Sequence, residues 1–561
     1  MENRKIQKIE KPQRKEKKKS RFATFLFFVT SAIGLSLATY GFVVGLLPLK
    51  TALLVAGIVL ILPLFFLLLH IVFSNVIVCR ILFSTLIICV GFAYGFGNYM
   101  VYKANKTLDV VTQLTNKTAN KINLISLQSS GISSLSQLEG QRIGISTILD
   151  EEGNQKELEN IQGKVNVEVI DYGNMETLIQ ALLNGEVSAI VLNEVYRGYA
   201  QEKGDEFNKI NTNAYVLDQV KYYTESNREM VQPDRVNVTS QPFTILVSGN
   251  DSYGTLEETS RSDVNMLLTV NPNTSTVLIT NVSRDSYINV ACGADAGMAC
   301  VNGVMDKLTH TGLDGVATTE KTIENLLDIT INYNVRVNFS SFENIVDAVG
   351  GIDVFVEEGC EVQSFYTNGT QGVSAGWNHL DGPRALGFVR ERYAYLDGTA
   401  QRVRNQQEAI RALISKVCSI STIKNFNNIV DALDSAFETN MSAREIKSII
   451  RHQFSKFPSW KFEGYSLRYE PGMEFCYVLQ TEAYVDLVDL DSISFAKQKI
   501  QAVLNGKSSE DIVDPYQQGT AGSYSSEEQA AIIQEGELEK TGEYYPEQEE
   551  IYYEEEIYYE E

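Results

Sequence analysis

The sequence predicts an α/β protein. It should have a mixed central sheet flanked by helices, a smaller α/β accessory unit, and three transmembrane helices at the N-terminus. Three observations predict this. Long uncharged apolar spans follow a basic start. Short β-type apolar runs then alternate with helix-length segments and glycine turns, the pattern of sheets layered with helices. The chain, at 561 residues, has room for two or three domains.

Residues 1–22 carry ten Lys/Arg against three Asp/Glu. The spans Phe22–Leu49, Thr51–Phe73 and Ile81–Tyr102 carry no charge. Each is long enough to cross ~30 Å of hydrocarbon. A cleavable signal peptide would supply one shorter apolar stretch. The positive-inside rule keeps residues 1–21 in the cytoplasm, with Arg80 in a second inside loop. Three crossings (22–102) then place everything after Tyr102 outside the cell. The prediction is a multi-pass cell-membrane protein with extracellular domains.

The formal net charge of -23 is uneven. Residues 508–561 hold seventeen Asp/Glu and one Lys. An acidic balance of this kind argues against nucleic acid as a partner. The Tyr/Glu-rich segment 507–561 cannot build a packed core and is predicted to be disordered. Five cysteines follow the spans, an odd number: Cys292, Cys300, Cys360, Cys418 and Cys476. In "CGADAGMAC" the spacing suits a short disulfide loop through Cys292 and Cys300 in an oxidising compartment.

Residues 103–122 read as a polar stalk. Residues 123–230 read as the accessory unit, with strands in "RIGIS", "VNVEVIDY" and "VSAIVLN". A helix in "METLIQALLNG" should end at Gly185. This order resembles part of a lobe of a periplasmic solute-binding protein. The linker "VQPDRVNVTSQ" leads to a main domain over 242–506. There "FTILVSG", "MLLTV" and "TVLITNV" are buried-strand patterns, and "SSFENIVDAVGGIDVFV" reads as helix, Gly-Gly turn, strand.

Candidate chemistry collects at the predicted strand ends. Asp251 lies in a glycine-rich turn after one strand, and Asp263 opens the next with Arg261 just before it. Arg284 follows a third strand. Open α/β sheets keep ligands at such ends, and two carboxylates suit a hard cation. The stretch "FVRERYAYLDGTAQRVRNQQ" concentrates four arginines. Arg390 and Arg392 sit two apart, which on a strand puts both on one face. Arg402 and Arg404 enter a predicted helix, where Arg404 should face elsewhere as a solvated residue. A plain surface reading would pair these arginines with Glu391 and Asp397. His70 falls in the membrane, and His310 and His379 read as structural.

"GNDSYGTLEETSRSDVNMLLTV", "NVSRDSYI", "DKLTHTG", "VNFSSFENIVDAVGGIDV", "HLDGPRALGFVRERY" and "RVRNQQEAI" resemble the LytR-CpsA-Psr family in order and spacing. The layout is similar to its streptococcal capsule-type branch. The resemblance implies transfer of a glycopolymer from a polyprenyl pyrophosphate carrier to a peptidoglycan acceptor. It implies Mg2+, or Mn2+, on Asp251 and Asp263, with Arg261 as the arginine of the "RSD" motif. It implies that Arg284, Arg390, Arg392, Arg402 and Gln406 grip the pyrophosphate, and that Lys307 is the lysine of the "KLTH" motif. Phosphoryl transfer is catalysed mainly by positioning and by stabilising charge. Arginine suits this, because its fork matches phosphate oxygens and keeps its charge.

Two positions depart from the family pattern. Ser283 stands where proline often precedes the "RD" motif. No acidic residue adjoins Thr399, where many relatives carry one nearby, which leaves the general base open. Two rival readings remain at this level. One is a hydrolase cleaving the same pyrophosphate with water. The other is a non-catalytic envelope sensor that binds polyprenyl lipids.

Overall fold

Three apolar helices open the computed structural model: α1 (Gln13–Val43), α2 (Leu49–Val72) and α3 (Ile77–Val111). The structure describes residues 13–112, 117–225, 234–250, 258–294, 296, 300–419, 425–433 and 437–517. Most of the basic start, part of the linker, Asp251 and the tail from 518 onward therefore lie outside the described residues. All three helices are long and apolar enough to cross a membrane. Lipid tails give helices no hydrophobic reason to associate, so close packing and polar contacts must do it. Thr30 Oγ1 donates to the Ile87 carbonyl at 3.2 Å, and Asn98 Nδ2 to the Ile33 carbonyl at 3.1 Å. At Gly91 a Cβ would sit 3.0 Å from Thr30 Oγ1, so the Thr30 side chain packs directly on the main chain there.

Of the expected stalk over 103–122, residues 103–112 and 117–122 are described. Helix α3 continues past Tyr102 to Val111, because its polar residues leave the apolar span without a helix breaker. Lys103 pairs with Asp431, and Lys447 Nζ donates to Asn105 Oδ1 at 2.6 Å. Strand β1 (Lys117–Leu127) then begins within the same stretch.

The accessory sheet is completed by β2 (Arg142–Ile145), β3 (Glu168–Asp171), β4 (Ala189–Asn193) and β5 (Ala214–Glu225). Its order is β3-β2-β4-β1-β5. Strand β2 runs parallel to β3 and β4, while β1 is antiparallel to β4 and β5. The helices are α4 (Glu151–Gln162), α5 (Met175–Leu183), α6 (Arg197–Glu202) and α7 (Asp205–Thr212). Asp150 and Asn174 cap α4 and α5 by accepting amides of their first turns. Gly185, just beyond α5, has φ +72°, the left-handed conformation that ends many helices. A core of Ile122, Leu124, Ile143 and Val191 fills one side of the sheet. On the other, Leu178, Ile190 and Tyr199 pack with Cys476, Leu479 and Val485 from late in the chain.

The main domain follows with β6 (Phe243–Gly249), β7 (Val264–Asn271), β8 (Thr276–Asn281), β9 (Tyr287–Asn289) and β10 (Met305–Lys307). Next come α8 (Val316–Leu327), β11 (Tyr333–Val337) and α9 (Phe339–Ala348). Residues 350–414 belong to a second compact unit. It holds β12 (Ile352–Val356), β13 (Val362–Ser364), β14 (Gln371–Val373) and β15 (Gly376–Leu380). It also holds α10 (Gly382–Arg390) and most of α11 (Gly398–Val417). Within it β12 pairs with β15, and β13 with β14. The chain ends, as described, with α12 (Phe426–Leu433), β16 (Glu438–Thr439), α13 (Ala443–Lys456), β17 (Lys461–Ser466), β18 (Tyr469–Cys476), β19 (Thr481–Val488) and α14 (Leu490–Leu504).

The central sheet is mixed, in the order β16-β11-β6-β7-β8-β17. Strands β11 and β6 are parallel, as are β17 and β8, while β7 is antiparallel to both its neighbours. Leu246, Leu267 and Leu278 form the middle of its core, covered by Ile323 and Leu327 of α8 and Ile500 and Val503 of α14. The Gly350–Gly351 turn between α9 and β12 has φ of +83° and +80°, matching the helix, turn, strand reading. Cys292 and Cys300 form a disulfide. Residues 507–517, expected in the acidic tail, pack onto the main domain instead. Their acids find partners far back in the chain: buried Asp514 pairs with Arg468 and accepts from Tyr465 at 2.7 Å, and at the surface Glu510 meets Lys461 at 2.8 Å.

One accessory residue sets a pH dependence. Glu157 of α4 is wholly buried, and neither of its oxygens has a well-formed hydrogen bond. Burial, and then the Asp218 carboxylate, push its pKa up to about 7, only partly offset by Lys164 and Asn160. The folded state then favours the protonated form, so stability is full below the unfolded pKa and falls as pH rises towards 7. Glu157→Gln should raise the melting temperature at pH 8 and leave it nearly unchanged at pH 4.5. The gain at pH 8 should be up to about 3 kcal/mol. Equal effects at both pH values in thermal melts would exclude this cause.

Candidate active site

The sheet topology brings three chain segments to one edge. Strand β7 runs against β6 and β8, so its start lies beside their ends: Val264 faces Gly249, and Met266 faces Asn281. Asp263 stands at that start, its amide donating to the Gly249 carbonyl at 2.8 Å. Arg284 stands just past the end of β8.

The side chains meet there. Arg284 Nη1 donates to Asp263 Oδ1 at 2.8 Å, and Thr309 Oγ1 donates to the same oxygen at 3.1 Å. The other carboxylate oxygen, Oδ2, is also buried. Arg284 Nε reaches Asp285 Oδ2 at 3.3 Å, and Lys307 Nζ reaches Asp285 Oδ1 at 3.2 Å. A chain of alternating charge, Asp263–Arg284–Asp285–Lys307, therefore runs along the edge, with every side chain at most 16% exposed. Charges taken out of water this far require partners close by.

Neighbouring groups hold these segments. Asp306 accepts from the Lys307 amide at 2.7 Å and the Val478 amide at 2.6 Å, and it bonds His310 Nδ1 at 2.6 Å. The Asp306–His310 pair is buried beneath the edge. Asp486 of β19 accepts from the Ser283 hydroxyl and from Tyr484 at 2.9 Å, and its amide donates to the Asp285 carbonyl at 2.8 Å. Burial raises the Asp486 pKa, and the hydroxyls of Ser283 and Tyr484 offset this in part. Ser283, where the family often has proline, thus ties the Arg284 loop to β19.

Arg261 is placed differently. A Cβ on Gly198 of α6 would sit 2.3 Å from Arg261 Nη2, so this guanidinium lies against the accessory domain. With Ser248, Asn250, Ser262 and Arg336 it lines a polar cavity of about 10 Å³, roughly the room for one water.

In the second unit, Arg390 is the last residue of α10, and Arg392 lies in the loop after it. The strand predicted for this pair is absent. Pro383 near the start and the Asp381 cap, which accepts the Arg384 amide at 3.1 Å, make a helix of "GPRALGFVR". Gln406 Nε2 donates to the Val389 carbonyl at 3.2 Å, beside Arg390. Arg402 and Gln406 are four apart on α11 and share a face. Arg392 stacks on Tyr393, its guanidinium 4.7 Å from the ring centre. The main chain is very tight here, since a Cβ on Gly398 would sit 2.1 Å from the Arg392 carbonyl oxygen.

The surface reading of the arginine stretch does not hold for the acids it named. Glu391 is wholly buried and accepts amides of Tyr366 at 2.6 Å and Ala394 at 3.1 Å. Burial raises its pKa against these bonds. Asp397 accepts the Ala400 amide at 3.1 Å. Arg404 is not a solvated residue either. Its Nε donates to Gln401 at 2.9 Å and its Nη2 is buried.

Sequence reasoning missed Thr309, Asp285 and Asp486. Asp285 adjoins the flagged Arg284, and Thr309 lies inside the quoted "KLTH" motif, so both carried a signal. Asp486 carried none, since it comes from a hairpin over 200 residues away.

A family model, LytR_cpsA_psr, matches residues 209–485, and another, NMT1/THI5 like, matches residues 90–238. The chain is 32% identical over 209 residues to a Bacillus subtilis protein named polyisoprenyl-teichoic acid–peptidoglycan teichoic acid transferase TagT. That match covers 36% of this chain and 61% of the relative, so the chain spans less than two thirds of its length. An Enterococcus faecalis transferase of the same type, TagU, is 29% identical over 42% of this chain and 75% of its own. A solved structure of TagT bound to LIIa-WTA covers 50% of this chain and 100% of its own at 25% identity, with a TM-score of 0.40.

The charge chain makes a stability prediction. Asp285→Asn removes the carboxylate between Arg284 and Lys307. Breaking a buried pair costs about 3 kcal/mol, the low end of the usual range, because Asp285 is not fully enclosed. The melting temperature of the detergent-solubilised protein should fall by roughly 5–10 °C. An unchanged melt would show that Asp285 is not needed to hold the two cations.

Proposed function

We infer from the match over residues 209–485 that the chain belongs to the LytR_cpsA_psr family. From that premise we propose that it is a membrane-anchored extracellular phosphotransferase. It moves a glycopolymer from a polyprenyl pyrophosphate carrier to a hydroxyl of peptidoglycan. The observation that carries the reading is the buried charge chain Asp263–Arg284–Asp285–Lys307 at the sheet edge. The curated relatives are named for the same class of transfer.

In this reaction the acceptor oxygen forms a bond to the sugar-side phosphorus. The bridging phosphorus–oxygen bond breaks, polyprenyl phosphate leaves, and the acceptor proton passes to a base or to solvent. Arg284 binds a pyrophosphate oxygen and steadies the charge that builds on the leaving group. Lys307 and Asp285 hold Arg284 in place. Arg390, Arg392, Arg402 and Gln406 contact the same pyrophosphate, and Arg261 supports the Asp263 loop.

Asp263 offers the hard carboxylate oxygens that magnesium or manganese takes, and such sites use one or two carboxylates plus substrate phosphate. Asp263 with Asp251 would hold the ion. When bound, it would supply charge neutralisation at the pyrophosphate.

The test is transfer of a lipid-pyrophosphate-linked glycan to peptidoglycan by the purified protein. Asp263→Ala and Arg390→Lys should each lower turnover by roughly 10–150-fold, the loss expected for a charge-assisted bond. Excess chelator should stop the reaction. Near-normal rates in both variants and in chelator would remove the proposed machinery.

The sidedness is part of the proposal. Protease added to intact protoplasts should digest the region after Tyr102. Protection of that region would place it inside the cell.

A further inference from the structure

Five described residues, Glu258 to Ser262, lead into the proposed metal ligand Asp263, and each is held. Glu258 makes a β-bridge with Ala119 of the accessory strand β1, and Lys121 of the same strand bonds its carboxylate at 2.8–2.9 Å. The Thr259 amide donates to the Ala119 carbonyl at 2.9 Å, and its hydroxyl to Asn120 Oδ1 at 2.7 Å. Ser260 takes a bond from Asn250 at 2.6 Å. Arg261 lies on Gly198 of α6. The Ser262 amide donates to the Thr309 carbonyl at 2.9 Å, and Asp263 meets Arg284. Contacts to the accessory domain thus alternate with contacts to the main sheet.

The same domain backs the other loop of the site. Strand β19 fixes Ser283 and Asp285 through Asp486. The hairpin β18–β19 in turn buries Cys476, Leu479, Ala483 and Val485 in the accessory core beside Met175 and Leu178. Thr481 donates to Glu176 of α5 at 3.0 Å.

We propose that the accessory domain is a positioning device for the reaction. Its strand β1 fixes the Asp263 loop and its helical face fixes the Arg284 loop, so the two charges are aligned before substrate arrives. Lys121 is a positioning residue that acts through Glu258. This rests on the transferase reading for its catalytic consequence, but the brace itself does not.

The experiment uses the full chain in detergent with three proteins: wild type, Lys121→Glu, and Lys121→Glu/Glu258→Lys. The pair is partly buried, so Lys121→Glu should stay folded with a somewhat lower melt that the double swap restores. Hydrogen exchange is followed in the peptide covering 258–265, and transfer is followed at varied lipid-linked glycan. Lys121→Glu should speed exchange in that peptide and lower kcat roughly tenfold, since small misplacement of reacting groups is costly. KM should stay within about twofold of wild type. The double swap should restore both exchange and kcat. Unchanged exchange in Lys121→Glu would refute the brace. Faster exchange with normal kcat would refute its role in positioning, as would a kcat loss that the swap fails to restore. Wild type without transfer activity would instead overturn the transferase reading, and the exchange data would still decide the brace.

Discussion

The structure depends on one constraint: four formal charges in a row, Asp263, Arg284, Asp285 and Lys307, shielded from water at a sheet edge. Stripping water from an ion costs several kcal/mol, recovered only through close, well-aligned partners. That requirement dictates much of the fold nearby. The antiparallel insertion of β7 between β6 and β8 is what lets a strand start meet two strand ends. The Asp306 bonds to backbone and His310 fix the segment carrying Lys307. The hairpin carrying Asp486 fixes the segment carrying Arg284. Loosening any of these would leave a buried charge short of its partner.

The fold was legible where local chemistry decides it. Uncharged spans, the Gly185 stop and the Gly350–Gly351 turn each act through backbone and solvent alone, and each stands where its residues predict. The strand reading of Arg390 and Arg392 failed because a two-residue spacing says nothing without knowing the backbone. The Asp381 cap and Pro383 made that backbone helical. The polar segment after Tyr102 continues the third apolar helix to Val111, since it holds neither Gly nor Pro. The tail boundary failed because Asp514 and Glu510 find Arg468 and Lys461 far back in the chain. Long-range pairing of that kind leaves no local mark.

The site was legible in part for the same reason. Asp263, Arg284 and Lys307 come together as a set, and each sits in a short motif next to a strand end. Asp486 was hidden because its role depends on a hairpin crossing 203 residues of sequence. Glu391 shows the converse. Its sequence context, between two arginines, suggests an ion pair, yet it is used by backbone amides. Proximity in sequence to a charge is therefore poor evidence of pairing when the chain turns sharply.

Charge balance bears on what else the site needs. The buried row holds two acids and two bases, so its formal charges cancel. A row whose formal charges cancel adds little net positive charge to its surroundings, although each cation in it can still bond an anion locally. On the proposed transferase reading, further cations, guanidinium groups or a divalent ion, would offset the charge of a pyrophosphate. Acids free to pair with the arginines of the 388–407 stretch would reduce that supply. The two nearest ones do not serve this way in their bonded geometry, since Glu391 and Asp397 accept main-chain amides. The acidity of the chain as a whole does not oppose this, because much of it lies in the last 54 residues. A guanidinium keeps its charge when partly buried, whereas an ammonium is more easily neutralised there. Arginine in the 388–407 stretch thus keeps its positive charge in an acidic chain through chemistry local to that stretch.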